Sequence, residues 1–456
     1  MALLATLLWR YGPEHDADSV GTAATSATQQ SRSVEGNSRV PEKLRIQRAA
    51  VVPDQTVEEI VAAKLKRFAQ SRREIMRSMA RQKNVAVPAS VEQFFDAVET
   101  GDWAQIKAAF DAINGGDSSA GHTSKRLPEV AALWASIIDT YGVAEQVHIW
   151  PAQKLLEMGN AVLSQLRPGM VYFGGTDDGR WVPTLLNATS DGEQHIVITQ
   201  NGLADATYLD YVQFLYGDRF SALSQEDSQR AFSDYVDDAR KRLAHDKEFP
   251  DEPKQILSGE DVRETDGKIS VGGITAVMDI NERLLRRLME KNPDLSFALQ
   301  ESSPMKGTYA EAVPLGPIME LGARDQSTFT RERAAESATY WSTVAEQLRA
   351  NPEEANGETP LKSYSKLAMG QANLFAERGF HEAAEQTYRT ALNMMPSYAD
   401  ATTALADLLR RTGRRDEARM ILDDFVRNYP DKLDALKKSR SRGSVTLSKG
   451  GNDQAK

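Results

Sequence analysis

The run Gly174, Gly175, Thr176, Asp177, Asp178, Gly179, Arg180 gathers two adjacent carboxylates, a cation and three glycines in one short stretch of a 456-residue chain. Neighbouring carboxylates can hold a divalent cation or divide acid and base roles, and a glycine such as Gly175 lets the backbone approach a ligand closely. Gln200, Asn201 and Asp205 form a second polar group, and Glu301 stands alone as a third. The same residue types are ordinary turn and cap chemistry, with Thr176 or Asp178 capping the helix that follows. Two readings therefore stay open for these loops. One is a ligand-binding domain or a carbohydrate-related enzyme using Gly174 to Arg180; the other is a structural turn.

Each polar group follows a short apolar run. Residues 170–173 (MVYF) precede the first, 196–199 (IVIT) the second and 296–300 (SFALQ) the third, while 317–321 (PIMEL) is a further run. These runs are too short for helices, and the first two lead into helix-like segments at 180–187 and 204–216. Alternation of strand and helix predicts a small, mainly parallel α/β sheet, with ligands expected beyond the carboxyl ends of its strands. Further helices are expected at 225–245 and 275–291, separated by a polar loop over 246–268.

Upstream, Thr56 and Glu59 have capping-box spacing and open a long helix through Lys83, with an apolar stripe of Val61, Leu65, Phe68, Ile75, Met76 and Met79. Between Lys64 and Lys83 its cations are Lys64, Lys66, Arg67, Arg72, Arg73, Arg77, Arg81 and Lys83, against the single acid Glu74. Such a helix fits an anionic membrane surface or a solvated face. Ser90 and Gln93 have the same capping spacing, and Gly101 divides 91–114 into an αα-hairpin. Residues 128–166 read as two helices breaking near Tyr141 and Gly142. The start, Met1 to Trp9, is apolar but far shorter than the ~20 residues of a bilayer span. It reads either as the end of a membrane anchor whose upstream half lies before the given start, which would make the protein membrane-anchored and extracytoplasmic, or as a frayed terminus.

The chain has no cysteine, so thiolate catalysis, disulfides and Cys-based zinc sites are excluded. The histidines His15, His122, His148, His195, His245 and His381 have no ligand spacing to one another, and no metal is expected. No dinucleotide, P-loop, serine-hydrolase or zincin motif occurs, so no cofactor is expected and no reaction is identified. A formal net charge of -10 argues against nucleic acid as a partner.

Near the C-terminus the sequence repeats at an offset of 34 residues: Gly379 with Gly413, Ala384 with Ala418, Pro396 with Pro430, Phe375 with Leu409 and Ala372 with Ala406. Small residues let paired helices cross closely, glycine permits the turn between them, and proline ends the second helix. This pattern resembles the tetratricopeptide family over 365–430. Two departures stand out: Ala368 and Thr402 replace the first-helix aromatic, and the small residue late in the second helix is Ala391 in one repeat but Phe425 in the other. The resemblance implies a protein or peptide partner in the repeat groove; the alternative is a stack packed on the rest of the chain. Two hairpins bury their apolar faces only against neighbours, so capping helices are expected at 328–350 and 433–439.

The stretch 169–218 (with YFGGTDDGRW and VITQNGLADATYLDY), continuing to about 322, is similar to the soluble C-terminal region of bacterial membrane proteins related to protein O-mannosyltransferases. That resemblance implies an extracytoplasmic α/β domain. The chain has no multi-spanning transferase body, so glycosyl transfer is not implied. The resulting expectation is a multidomain α and α/β protein. A disordered tether spans 1–50, a helical region 51–150, an α/β domain 151–325, a helical repeat stack 326–441 and a disordered tail 442–456.

Overall fold

The computed structural model describes residues 55–114, 128–175, 178–257, 259–265, 267–301, 303–322, 329–350 and 358–443. The expected tether, the apolar start, the loop at 115–125, Thr176, Asp177 and the tail beyond 443 lie outside the described residues.

Helix α1 (Val57–Lys83) begins as its spacing predicts: Thr56 Oγ1 accepts from Glu59 N at 3.2 Å and Glu59 accepts from Thr56 N at 2.9 Å. An αα-hairpin follows, α2 (Ala89–Thr100) and α3 (Trp103–Asn114), turning at Gly101 with φ 77°. Ser90 is not the cap of α2, because Pro88 takes that position and Ser90 lies inside the first turn. Helix α4 (Pro128–Ile149) runs straight through Tyr141 and Gly142, and the break falls instead before α5 (Ala152–Leu163), whose cap is Pro151. Gly142 serves packing rather than termination: a Cβ there would lie 2.0 Å from Trp181 Cε2.

The central sheet has the order β2-β1-β5-β7-β6, built from β1 (Val171–Gly174), β2 (Ile196–Thr199), β5 (Phe297–Leu299), β6 (Val313–Leu315) and β7 (Ile318–Leu321). Helix α6 (Asp178–Ala188) joins β1 to β2, and α7 (Ala206–Tyr216) follows β2. β1 pairs parallel with β2 and β5, but β7 runs antiparallel to both β5 and β6. The sheet is therefore mixed, correcting the expectation of a mainly parallel one. A parallel connection needs a crossover of a dozen or more residues, and between β6 and β7 there is only the turn at Gly316 and Pro317.

Helix α8 (Gln225–Glu248) and helix α9 (Ile274–Lys291) flank a second feature, the antiparallel hairpin of β3 (Asp261–Thr265) and β4 (Lys268–Gly272). The sequence places a polar loop there. β3 is almost entirely exposed, so it carries no apolar run that would mark it.

The C-terminal part is helical: α10 (Arg331–Ala350), α11 (Glu358–Glu377), α12 (His381–Met394), α13 (Ala399–Arg411), α14 (Arg415–Asn428) and α15 (Leu433–Gly443). α10 packs on α12 and α15 on α13, which are the capping contacts expected of a short stack. α15 continues beyond the expected end of order, through Gly443. One hydrophobic core runs without interruption from Val61 in α1, across the sheet, to Ala418 in α14.

Candidate functional site

The loops singled out by their chemistry do lie at the carboxyl ends of β1 and β2. Gly174 closes β1 where no side chain fits, since a Cβ would stand 2.5 Å from Gly179 O and 3.0 Å from Arg180 Cα. The Gly175 carbonyl accepts from Thr199 Oγ1 at 3.1 Å, tying the two strand ends together. Asp178 opens α6 at 6% exposure, with Oδ2 buried and without a hydrogen-bond partner among the described residues. Arg180 turns away from it and donates to Asp139 Oδ1 of α4 at 2.8 Å. Gln200 is fully buried in a 3₁₀ turn, and Asn201 N donates to Thr199 Oγ1 at 3.4 Å. Asp205 caps α7, accepting from Thr207 N at 2.8 Å and Tyr208 N at 3.4 Å. Among the described residues no group of three or more acidic or histidine side chains could hold a metal ion.

What the strand ends do assemble is a buried ionic cluster that sequence reasoning missed. Arg72 of α1, Asp139 of α4 and Arg180 of α6 meet beside Tyr208 and Tyr211 of α7. Tyr211 donates to Asp139 Oδ2 at 3.0 Å, and Arg72 Nε lies 3.7 Å from the same oxygen. Burial opposes the charge on Arg72, and Tyr211 and Asp139 outweigh it, so its pKa is raised. Burial opposes the charge on Arg180 too, and Asp139 outweighs it in the same direction. Burial likewise pushes the Tyr208, Tyr211 and Tyr216 hydroxyls up, keeping them protonated donors. One signal was available: Arg72 sits four residues after Phe68 and four before Met76, a cation on the apolar stripe of α1.

The other cations of α1 are largely engaged within the chain. Arg73 pairs with Glu92 at 3.0 Å, Glu99 at 2.8 Å and Asp96, while Arg77 pairs with Glu92 at 2.9 Å and Glu74 at 2.7 Å. Arg67 meets Asp191 at 3.1 Å and Lys83 meets Asp210 at 2.8 Å. The face is solvated, with Lys66, Arg67 and Arg81 exposed, but it is not a bare basic one, because acids from α2, α7, the loop after α6 and Glu74 of α1 itself pair with its cations. Among the described residues no helix is long and apolar enough to cross a membrane.

The repeats show their 34-residue register in three dimensions. Gly379 and Gly413 have φ of 80° and 84°, and each sits in the same turn, with Phe380 N donating to Phe375 O at 2.9 Å and Arg414 N to Leu409 O at 2.8 Å. These are 6→1 bonds of the kind that end helices with a left-handed glycine. Ala384, Ala391 and Ala418 are buried at 0%, 0% and 1%, where their helices cross. The exchange of Ala391 for Phe425 follows from the neighbours. Ser365 Oγ donates to the Ala391 carbonyl at 3.0 Å, whereas Phe425 fills a small second core with Ala399 and Leu436 of the capping helix. Pro396 and Pro430 each follow the end of a second helix, α12 at Met394 and α14 at Asn428.

The leading helix α11 is docked on the sheet. Gln371 Nε2 donates to Ile318 O of β7 at 2.9 Å and to Gly316 O, while its Oε1 accepts from Trp341 Nε1 at 3.0 Å. Arg378 Nη1 donates to the carbonyls of Tyr309, Ala310 and Ala312 at 3.2, 2.9 and 3.2 Å. Glu301, just past β5, accepts from Tyr309 Oη at 2.7 Å, Asn373 Nδ2 at 3.1 Å and Met305 N at 3.2 Å. Burial at this junction raises the Glu301 carboxyl to about 7 against those three donors, which favour its charge. Part of the face of α11 is thus covered by the chain's own segment around 301–312.

A family model for the tetratricopeptide repeat matches residues 375–440. The match begins ten residues later than the pattern read from the sequence and takes in α15. Repeats of this family bind proteins or peptides, so the match supports a protein-interaction role in general terms. No curated protein and no solved structure matches the chain. The likeness of 169–322 to O-mannosyltransferase-related membrane proteins has no support from these comparisons.

Proposed function

We propose that this protein is a non-enzymatic scaffold or accessory protein that holds a protein or peptide partner on its C-terminal repeats, with 326–441 as the interaction module and 151–325 as its mount. The observation that carries this reading is the second hairpin. α14 buries only Ala418 and Phe425, and its outer surface exposes Met420 at 62% and Val426 at 37%. Isolated exposed apolar side chains are ordinary, but here two of them share one helix of a repeat family that recognises peptides. Because α11 is occupied by the sheet, the partner surface is shifted toward α13 to α15. The test is affinity capture from the native host with the full chain and with Met420→Asp/Val426→Asp, whose fold is checked by circular dichroism. A partner retained by the parent and lost by the folded variant supports the reading; an identical set on both, or none on either, sinks it.

A second reading, a ligand-binding or carbohydrate-related site at Gly174 to Arg180, is favoured by the buried Oδ2 of Asp178, which has no partner among the described residues. Asp178→Asn with Asp177→Asn separates it from a turn. A ligand site loses binding of the sugar or divalent ion under test at nearly constant stability. A structural turn loses about 1 kcal/mol of stability and shows no ligand in the parent protein.

A further inference from the structure

The cluster around Asp139 has more positive charge and more hydrogen-bond donors than its own residues can satisfy. Asp139 is 4% exposed, and both of its oxygens are engaged: Oδ1 by Arg180 at 2.8 Å and Oδ2 by Tyr211 at 3.0 Å. Arg72 is 6% exposed, and its Nε is buried with no hydrogen bond among the described residues, Asp139 Oδ2 lying 3.7 Å away. The hydroxyl oxygens of Tyr208 and Tyr216 accept from Thr199 N at 2.9 Å and Val197 N at 3.5 Å, and neither hydroxyl proton has an acceptor among the described residues. Two guanidinium groups thus share one carboxylate.

Arg72, Arg180, Asp139 and the three tyrosines line one cavity of about 10 Å³, room for about one water-sized occupant. A water would accept two of the idle donors and could return its hydrogens to the remaining lone pairs of Asp139, but it would leave the surplus charge in place. An anion accepts from all of them, needs no acceptor and neutralises the charge left over when two buried cations share one carboxylate. The space, sized for one small occupant, then favours a monatomic anion over a polyatomic one.

We propose that this cavity is a binding site for a monatomic halide, chloride in the cell, held by Arg72 and the Tyr208 and Tyr216 hydroxyls. Its place explains its effect. Arg72 comes from α1, Asp139 from α4, and the tyrosines from α7 behind β2, so the ion ties the N-terminal helix to the sheet. Occupancy stabilises the whole chain by mass action.

The test uses the full chain in buffers of constant ionic strength in which chloride or bromide replaces gluconate, an anion too large to enter. Thermal denaturation is expected to show a saturable rise in Tm with either halide. Arg72→Met abolishes the rise, and Tyr216→Phe weakens the apparent halide affinity about tenfold, the loss expected for one hydrogen bond to a charge. Crystals grown in bromide are expected to show an anomalous peak in the cavity. If Arg72→Met does not fold, Tyr216→Phe and the bromide peak decide. Equal Tm in halide and gluconate, an unchanged halide response in Tyr216→Phe, or density of a bridging water without anomalous signal would overturn the proposal.

Discussion

Replacing Glu301 with glutamine should flatten the pH dependence of stability between about pH 4.5 and pH 7, and the size of that change follows from the junction it occupies. Glu301 lies where β5 ends against α11, and burial raises its carboxyl from 4.5 to about 7. The folded state therefore holds this proton more tightly than the unfolded chain does. The stability it contributes is fully present below about 4.5, declines as pH rises and is lost above about 7. At about 1.4 kcal/mol per unit of pKa difference, the total loss is about 3 kcal/mol. The steepest decline lies between the two values, where the unfolded chain is ionised and the folded one is not. The assay is urea denaturation of the parent and Glu301→Gln at half-unit pH steps and constant ionic strength, comparing slopes rather than absolute stabilities. Histidines and other carboxylates titrate alike in both proteins and cancel in the difference. Parallel curves for the two proteins across this range would refute the reasoning, because they would mean that Tyr309, Asn373 and the Met305 amide hold the charge in place against burial.

Other perturbations have equally definite outcomes. Gly379→Ala and Gly413→Ala should each destabilise by about 1 kcal/mol, read as a lower urea midpoint, because the φ of 80° or 84° disfavours a Cβ although no atom lies within 4 Å of it. Gly142→Ala should cost about 1–3 kcal/mol for the opposite reason, since its backbone is helical and the added methyl would meet the Trp181 indole at 2.0 Å. Gln371→Leu should lower the thermal midpoint by leaving the Ile318 carbonyl and the Trp341 indole N–H without their partner, a loss of about 2–3 kcal/mol measured by denaturation. A neutral result there would mean that water replaces the glutamine.

Much of the helical fold was legible because it depends on short-range spacing. The 34-residue repeat, the capping pair Thr56 and Glu59, and the turn at Gly101 each express a constraint set within a few residues, and each appears in the structure in the form expected. The candidate loops were also located correctly in space, at the carboxyl ends of β1 and β2, since alternating apolar runs and helices leave few other arrangements. Gly142 and Ser90 misled for a local reason: the same residue types that end or cap helices also relieve crowding or sit harmlessly in a first turn.

What the sequence determined by itself is most of the helices and the 34-residue repeat that a tetratricopeptide model matches over 375–440, because periodicity and turn chemistry act over one or a few helical turns. Only the tertiary structure decided that the sheet is mixed, that α11 is docked on β7 by Gln371 and on the 309–312 segment by Arg378, and that Arg72, Asp139 and Arg180 share one buried site. Strand direction depends on the length of the connection, and the pairing of charges depends on which elements burial forces together. Neither leaves a mark in the spacing of any one segment.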